Sequence, residues 1–252
     1  MMCQRRRSRK NKMRTFFFSS ALLSALCLLT GCEKPSQENP FFPLEAGRSW
    51  TYKVEVTFDD PDGHVDSSML TLTNMGRVEL NGVESWRRRS DSGTEYWLRS
   101  DEKGVYRVAS RSPTGKSAVL DASPRTVIPA KLTQDQTWSV STVPYFLKRR
   151  SEWPPEFKYI DKYRQMTMHY SVQATDQKVA TPAGEYSGCL LVKGVADLNV
   201  WVENEMTYKE VPMISLEWYC PGVGLVQLER REPTTARFFQ GGVMRMTLLK
   251  TD

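Results

Sequence analysis

The side chains that could carry chemistry are few and lie scattered along the chain. His64 and His169 are the only histidines, and each stands apart from other candidate ligands. Because a metal site needs several converging His, Cys or carboxylate ligands, we expect both to be solvated or packed side chains. The acidic run Asp59–Asp62 lacks the spacing and the bidentate Glu of an EF-hand loop, and a tight turn explains it. The sequence therefore predicts neither a metal nor a cofactor.

Candidate nucleophiles are equally isolated. The chain has no Gly-x-Ser-x-Gly elbow. Ser100 and Lys103 have the Ser-x-x-Lys spacing of penicillin-recognising enzymes, but they fall on a turn, and Thr181-Pro182-Ala183-Gly184 lacks the spacing of a phosphate loop. Paired carboxylates for glycoside hydrolysis stay open, since their separation depends on the fold. We therefore expect a non-enzymatic protein and keep a hydrolase with unrecognised catalytic residues as the alternative.

The N-terminus has the composition of an export signal. Seven Lys and Arg residues lie between positions 5 and 14, and an apolar run of 14 residues follows from Phe16 to Leu29. A helix that spans a bilayer needs about 20 apolar residues, so this run is expected to be a signal rather than a permanent span.

The tetrapeptide Leu29-Thr30-Gly31-Cys32 closes this signal and resembles the lipobox of bacterial lipoproteins. The resemblance implies cleavage after Gly31, a diacylglycerol on the Cys32 thiol and acylation of the new amino group. Two or three acyl chains would hold the protein on a membrane, whereas one chain binds only reversibly. Residue 33 is Glu rather than the Asp that usually retains such proteins in the inner membrane, so we expect an outer-membrane anchor facing the periplasm. A general secretory signal cleaved elsewhere is the alternative.

Removal of the signal changes the charge of the chain. The full sequence has 35 Lys and Arg against 29 Asp and Glu, but residues 1–31 hold seven of the basic residues and no acidic one. The mature chain of 221 residues then has 28 basic against 29 acidic side chains, a net charge of about −1. Nucleic-acid binding loses its electrostatic support, so we expect none.

The cysteines also sort by compartment. Cys3 and Cys27 leave with the signal and Cys32 carries the lipid, so Cys189 and Cys220 remain. In an oxidising periplasm two remaining cysteines are a candidate disulfide. Two separate buried thiols are the alternative, because the sequence does not show whether their Cα atoms lie within about 7 Å.

The elements that position these residues are short strands joined by tight turns. Trp50, Tyr52, Val54, Val56 and Phe58 alternate with polar residues, which predicts a half-buried strand, and Asn81-Gly82 predicts a two-residue hairpin. The mature chain shows no long helical apolar stripe. We therefore predict an all-β, mainly antiparallel domain over 41–252 after a lipidated tether at 32–40, built as a strongly curved meander sheet or half-barrel. Further strands are predicted at Met69–Leu80, Val83–Arg89, Thr94–Arg99, Val105–Ser110, Met166–Ala174, Lys178–Thr181, Cys189–Val195, Val200–Met206, Tyr208–Val211, Ile214–Tyr219, Val223–Glu229 and Val243–Lys250.

Two features depart from a plain meander. An apolar-Pro pair, a polar bend and a strand-opening Trp occur at the start of the domain and again before Trp138, 88 residues after Trp50, which favours two similar halves. Residues 144–164 mix aromatics, charges and a Pro pair without a period, and we predict a long loop or short helical insertion there.

Three surfaces are candidates for binding. One is Trp86-Arg87-Arg88-Arg89, whose outward arginines could meet phosphates, with a charged edge strand as the alternative. Another is the concave interior of the sheet, which could hold an apolar ligand or be filled by the chain's own side chains. The third is the insertion, where apolar and basic residues suit a membrane or protein partner, with a plain surface loop as the alternative; it comprises Phe146, Leu147, Lys148, Arg149, Arg150 and Trp153.

Several motifs resemble those of a widespread group of bacterial envelope lipoproteins. They are Phe42-Pro43-Leu44 with Gly47 and Trp50-Thr51-Tyr52, then Thr181-Pro182-Ala183-Gly184-Glu185-Tyr186 with Cys189, then Trp218-Tyr219-Cys220-Pro221-Gly222-Val223-Gly224-Leu225-Val226. The resemblance spans most of residues 41–230 and implies an antiparallel β architecture akin to the half-barrel of lipoprotein carriers. It brings no catalytic residues. Cys220 stands where the group usually has Ala, so a bridge to Cys189 would be particular to this chain.

These observations together predict a membrane-anchored protein of the cell envelope that binds a lipid, a glycan or an envelope protein without catalysis. The alternatives are an envelope hydrolase and an assembly factor of a secretion or envelope complex that uses the 144–164 insertion.

Overall fold

The computed structural model describes residues 39–59, 63–146, 166–202, 206–233 and 241–252, with side chains left out at 200–202. All of these residues belong to one compact unit, Pro35–Asp252. The signal, Cys32 and most of the tether therefore lie outside the described residues, as does the insertion beyond Phe146.

Twelve strands make up the described chain, and they form a single sheet. Each strand pairs antiparallel with its neighbours in the sheet. The strands are β1 Ser49–Phe58, β2 Val65–Leu80, β3 Val83–Ser90, β4 Glu95–Asp101, β5 Gly104–Arg111, β6 Val119–Pro129, β7 Thr137–Thr142, β8 Met166–Thr181, β9 Gly184–Val202, β10 Thr207–Cys220, β11 Gly224–Glu232 and β12 Gly242–Thr251.

The sheet consists of two six-strand meanders that meet at the chain's first and last strands. Its order is β6-β5-β4-β3-β2-β1-β12-β11-β10-β9-β8-β7, so β1 pairs with β12 at the centre and β6 and β7 are the two edges. The sheet curves into a nearly closed barrel shape, in which both edge strands line one narrow opening. The prediction of an all-β, antiparallel, strongly curved meander is confirmed, with almost no helix among the described residues.

The two repeated Trp residues occupy matching places in this order. Trp50 lies at the start of β1 and Trp138 at the start of β7, which are the first strands of the two meanders. An internal duplication stays a prediction, but the division into six and six strands agrees with it.

Local sequence explains the well-predicted elements. Trp50, Tyr52, Val54 and Val56 are all buried on one face of β1, as their alternation predicted. Asn81 and Gly82 have φ angles of 53° and 76° and join β2 to β3 through a tight turn that requires positive φ at both positions.

Other strand predictions were too short or missed. Val172, Ala174 and Gln177 border register shifts against β9, so β8 is one strand of 16 residues whose alternation is interrupted. Strand β10 runs through Pro212, which faces Asp197 of β9 at a point beyond the ladder with β11, so the missing N–H breaks no second ladder.

Strand β6 was not predicted at all. Its residues are mostly exposed or half-buried, and it contains Pro124, which is tolerated there because β6 is an edge strand.

The interior holds three apolar clusters. The largest includes Leu98, Ile128, Met168 and Met213, and it draws on strands of both meanders. A second surrounds Val56 and Val211, and a third surrounds the cysteine pair with Trp50 and Tyr52. No helix in the described part of the chain is long and apolar enough to cross a membrane.

Candidate ligand-binding cavity

An interior cavity of about 330 Å³ lies between the two meanders. Its wall combines six aromatic rings with aliphatic side chains and four charged ones. The sheet interior is therefore neither a fully filled core nor an open channel: side chains fill much of it and leave one cavity. The lining residues are Phe42, Pro43, Trp50, Tyr52, Leu72, Arg88, Tyr96, Leu98, Arg107, Arg125, Thr126, Val127, Val140, Tyr170, Glu217, Tyr219, Val223, Gly224 and Leu225.

The segment before β1 contributes one wall of the cavity. The Asn39 side chain donates to Pro129 O (3.2 Å), and Gly222 N donates to Pro40 O (2.7 Å), so the segment is tied to β6 and to the β10–β11 turn. These contacts place Phe42 and Pro43 against the cavity.

The conserved-looking motifs of the sequence converge on the same place. Trp50 Nε1 donates to Val223 O (2.8 Å), and the Tyr52 hydroxyl donates to Leu225 O (2.8 Å). A Cβ atom on Gly224 would lie 3.3 Å from Pro43, so a glycine allows this close approach. The "FPL", "WTY" and "PGVGLV" motifs therefore build one wall together.

Arg88 is held inside the sheet by neutral partners. Its Nε donates to Asn74 Oδ1 (2.8 Å) and its Nη2 to Pro43 O (3.0 Å). The guanidinium lies over the rings of Phe42 and Trp50, with its Cζ 4.2 Å and 4.7 Å from their centroids. Burial lowers the pKa of Arg88 to about 10, which leaves the side chain charged at neutral pH.

Arg88 corrects the sequence interpretation of the 86–89 stretch as a surface of outward arginines. Alternation on β3 turns Trp86 and Arg88 inward and leaves Arg87 and Arg89 on the outer face. Arg87 lies 3.9 Å from the buried carboxylate of Glu95, and Arg89 is exposed.

Glu217 supplies the negative charge of the cavity wall. It lies on β10 with the other inward residues Ser215 and Tyr219, whose hydroxyls donate to Oε1 (2.8 Å) and Oε2 (2.6 Å). Burial and the nearby Glu217 raise the pKa of both Tyr219 and Tyr170. These phenols therefore stay protonated and act as donors.

Arg107 and Arg125 lie opposite each other on β5 and β6. Arg107 makes a two-bond ion pair with Asp121, Nε to Oδ2 (2.8 Å) and Nη2 to Oδ1 (2.6 Å). Arg125 has no hydrogen bond or ion pair with any of the described residues. Burial, and next the charge of Arg107, lower the pKa of Arg125.

The sequence did not single out the buried charges. Glu217 and Arg125 lie in strands whose register is set by distant neighbours, so their inward direction was not visible. One signal was available: polar residues at 215 and 217 continue the alternation of the buried Val211 and Met213.

The structure also places the predicted site residues. The sulfur atoms of Cys189 and Cys220 are bonded, and both residues are buried in the third apolar cluster. Cys32 lies outside the described residues, so its lipidation stays a prediction.

Phe146 was expected on an interaction surface and is instead 3% exposed. Its ring packs edge-on against Phe58 and Tyr145, with centroids 5.8 Å and 5.4 Å away. The apolar ring fills the second cluster because buried Glu232 accepts the N–H groups of Tyr145 (2.7 Å) and Phe146 (3.1 Å). Leu147, Lys148, Arg149, Arg150 and Trp153 lie outside the described residues.

The histidines lie apart from the cavity wall. His64 Nε2 is 2.8 Å from Asp66 Oδ1, and His169 Nδ1 is 2.8 Å from Ser139 Oγ; both rings are exposed. No group of three or more His, Cys, Asp or Glu side chains that could hold a metal occurs within the described ranges.

Comparisons with known proteins found little similarity. No family model matches the chain, and no curated protein does. A "putative lipoprotein" from Parabacteroides distasonis has a crystal structure that aligns at 15% identity and a TM-score of 0.41, over 85% of this chain and 99% of that one. A "putative exported protein with YmcC-like fold" from Bacteroides fragilis aligns at 15% identity and a TM-score of 0.34, over 84% and 98%. These values are too low to carry either description to this chain.

Proposed function

We propose that this chain is a lipid-anchored protein of the bacterial envelope, facing the periplasm from the outer membrane, that binds a small ligand in its interior cavity without catalysis. The cavity is the observation that carries the proposal. Its volume of about 330 Å³ falls in the range of roughly 300–1,000 Å³ typical of ligand pockets.

The chemistry of the wall favours binding over mere packing. Ligand pockets are mostly apolar with a few placed polar groups, and this wall has aromatic rings together with Arg88, Glu217 and the Tyr219 hydroxyl. Burying such charges is costly for a structural core, which apolar residues would fill at no such cost. The chain instead supports each of these two charges with hydrogen bonds.

The same wall gives little support to the hydrolase alternative. Glycoside hydrolysis uses two facing carboxylates, and Glu217 is the one carboxylate among the described lining residues. Both of its oxygens already accept hydroxyl hydrogen bonds. A binding role therefore fits the described geometry better than general acid–base chemistry.

The envelope location rests on the sequence. The lipobox-like Leu29-Thr30-Gly31-Cys32 and the residue Glu33 support an acylated protein at the outer membrane. Its ligand would then come from the periplasm or the membrane that carries it, where lipids and glycans are available.

Native mass spectrometry of the protein extracted from its own envelope tests the proposal. We expect a non-covalent ligand on the wild type and a lower occupancy in Val140→Trp, because Val140 lines the cavity and a larger ring would fill it. The matched control is Val119→Trp, at an edge-strand position that is 68% exposed and away from the cavity wall. A wild type that never carries a ligand, or equal occupancy in both variants, would contradict the proposal.

A further inference from the structure

The two edge strands face each other across a second, smaller cavity of about 210 Å³, here called the seam. One side is formed by 121–125 of β6 and the other by 139–143 around β7. Arg107, Arg125 and Val140 line both the seam and the interior cavity, so the two spaces adjoin. The seam is therefore the side of the sheet through which the interior cavity can be reached without breaking a strand ladder.

Arg125 stands at this junction without a counter-ion. Of the three arginines in the cavity wall, Arg107 is paired with Asp121 and Arg88 is held by Asn74 and aromatic rings. Arg125 has no such partner within the described parts of the chain. Its cross-strand neighbour is Arg107, a like charge.

An anion at the junction would relieve this arrangement. A half-buried guanidinium presents a planar fork of donors that matches a carboxylate or a phosphate in two parallel hydrogen bonds. The pKa of Arg125 is lowered by burial and by Arg107, which shows that its charge is not well supported by the protein alone. The junction thus offers an unused anion-binding group.

The charge distribution also decides where an anion would lie. Glu217 lines the interior cavity but not the seam, so its carboxylate disfavours a negative group deep inside. The described interior wall beyond the junction is formed mainly by rings and by aliphatic residues such as Leu98 and Leu225. This wall suits the apolar part of a ligand.

Resting on the proposed binding function, we infer that the cavity takes an amphiphile with one anionic head group, a carboxylate or a phosphate. The head group pairs with Arg125 at the seam, and the apolar chain lies inside among the aromatic rings. The juxtaposition of an unpaired guanidinium at the opening with an apolar interior carries the inference.

Four probes test this assignment in equilibrium dialysis against the full chain carrying Cys32→Ala in detergent-free buffer. Dodecanoate and dodecyl phosphate carry both features, dodecanol lacks the charge, and butyrate lacks the long chain. We expect dodecanoate and dodecyl phosphate to bind at least about 10-fold more tightly than dodecanol, the effect of a charged hydrogen bond. Butyrate should bind at least about 100-fold more weakly than dodecanoate, since it lacks eight methylenes.

The variants identify the group responsible. Arg125→Gln should weaken dodecanoate binding about 10- to 100-fold and leave dodecanol binding unchanged, which also shows that the cavity has kept its fold. Arg125→Lys should restore part of the difference, because it keeps the charge but not the two-bond geometry. The matched control is Arg89→Gln, an exposed arginine on the outer face of β3, which should change neither affinity.

The outcomes separate this inference from the proposed function. Equal binding of dodecanoate and dodecanol, or an unchanged preference in Arg125→Gln, would overturn the anion assignment and leave a binding cavity standing. Tight butyrate binding would overturn the amphiphile assignment in favour of a small free anion. Binding of none of the four probes would overturn the inference, while ligand found on the envelope-extracted protein would still support the proposed function.

Discussion

The disulfide between Cys189 and Cys220 should be a major source of stability. Cys220 of β10 lies directly beyond the last β9–β10 pair, Leu190 with Tyr219, so the bridge closes the open end of this hairpin. The cysteines are 31 residues apart. In the chain-entropy relation a closed loop of that length stabilises the folded state by about 3.7 kcal/mol.

The perturbation is the double variant Cys189→Ala, Cys220→Ala. Both sulfur atoms are buried among Trp50, Tyr52 and Leu248, so their loss removes packing as well as the cross-link. For a domain of about 200 residues, 1 kcal/mol corresponds to roughly 2–4 °C in Tm. We therefore expect the Tm to fall by about 7–15 °C.

Differential scanning calorimetry measures this effect, and alkylation of the unfolded protein without reductant counts the free thiols. The wild type should show neither Cys189 nor Cys220 alkylated, and reduction should bring its Tm down to near that of the double variant. A Tm change below about 2 °C, or alkylation of both residues in the unreduced wild type, would refute the reasoning.

The remaining predictions concern buried polar groups. Glu232→Gln removes the charge that pairs with Arg230 and accepts the 145 and 146 N–H groups, so urea unfolding should show a loss of about 3–5 kcal/mol; a loss below about 1 kcal/mol would contradict this. Asn74→Ala leaves the Arg88 guanidinium short of an acceptor and two carbonyls without donors, so a loss of at least about 2 kcal/mol is expected in the same assay, and a neutral effect would count against it. Burial, and next the hydrogen bond to Asp101, raise the pKa of Tyr106 to about 12. Its stability contribution is present below pH 10 and is lost as pH rises toward 12; in a phenolate absorbance titration Asp101→Asn should lower this pKa, and an unchanged curve would oppose the assignment.

Sequence alone predicted the elements whose signals are local. The alternation from Trp50 to Phe58 and the Asn81-Gly82 turn depend on neighbouring residues, and both are found as expected. The all-β, antiparallel, curved sheet followed from many such local signals. Strand ends failed where long-range pairing decides them, as at the register shifts of β8.

The candidate site was less predictable for the same physical reason. Only the register across β5 and β6 sets Arg125 opposite Arg107, and only the curvature of the sheet brings both edges to one seam. Phe146 looked like a surface residue because its neighbours are charged, whereas the carboxylate of Glu232, 86 residues away, holds it in the core.

The most direct test of the binding function is a crystal structure of the protein purified from its own envelope. We predict continuous electron density inside the cavity that no protein atom or water explains, extending from the aromatic rings to the Arg125 guanidinium. A cavity that holds only ordered waters, or that is closed by side chains such as Tyr170 and Leu225 moving into it, would contradict the proposal.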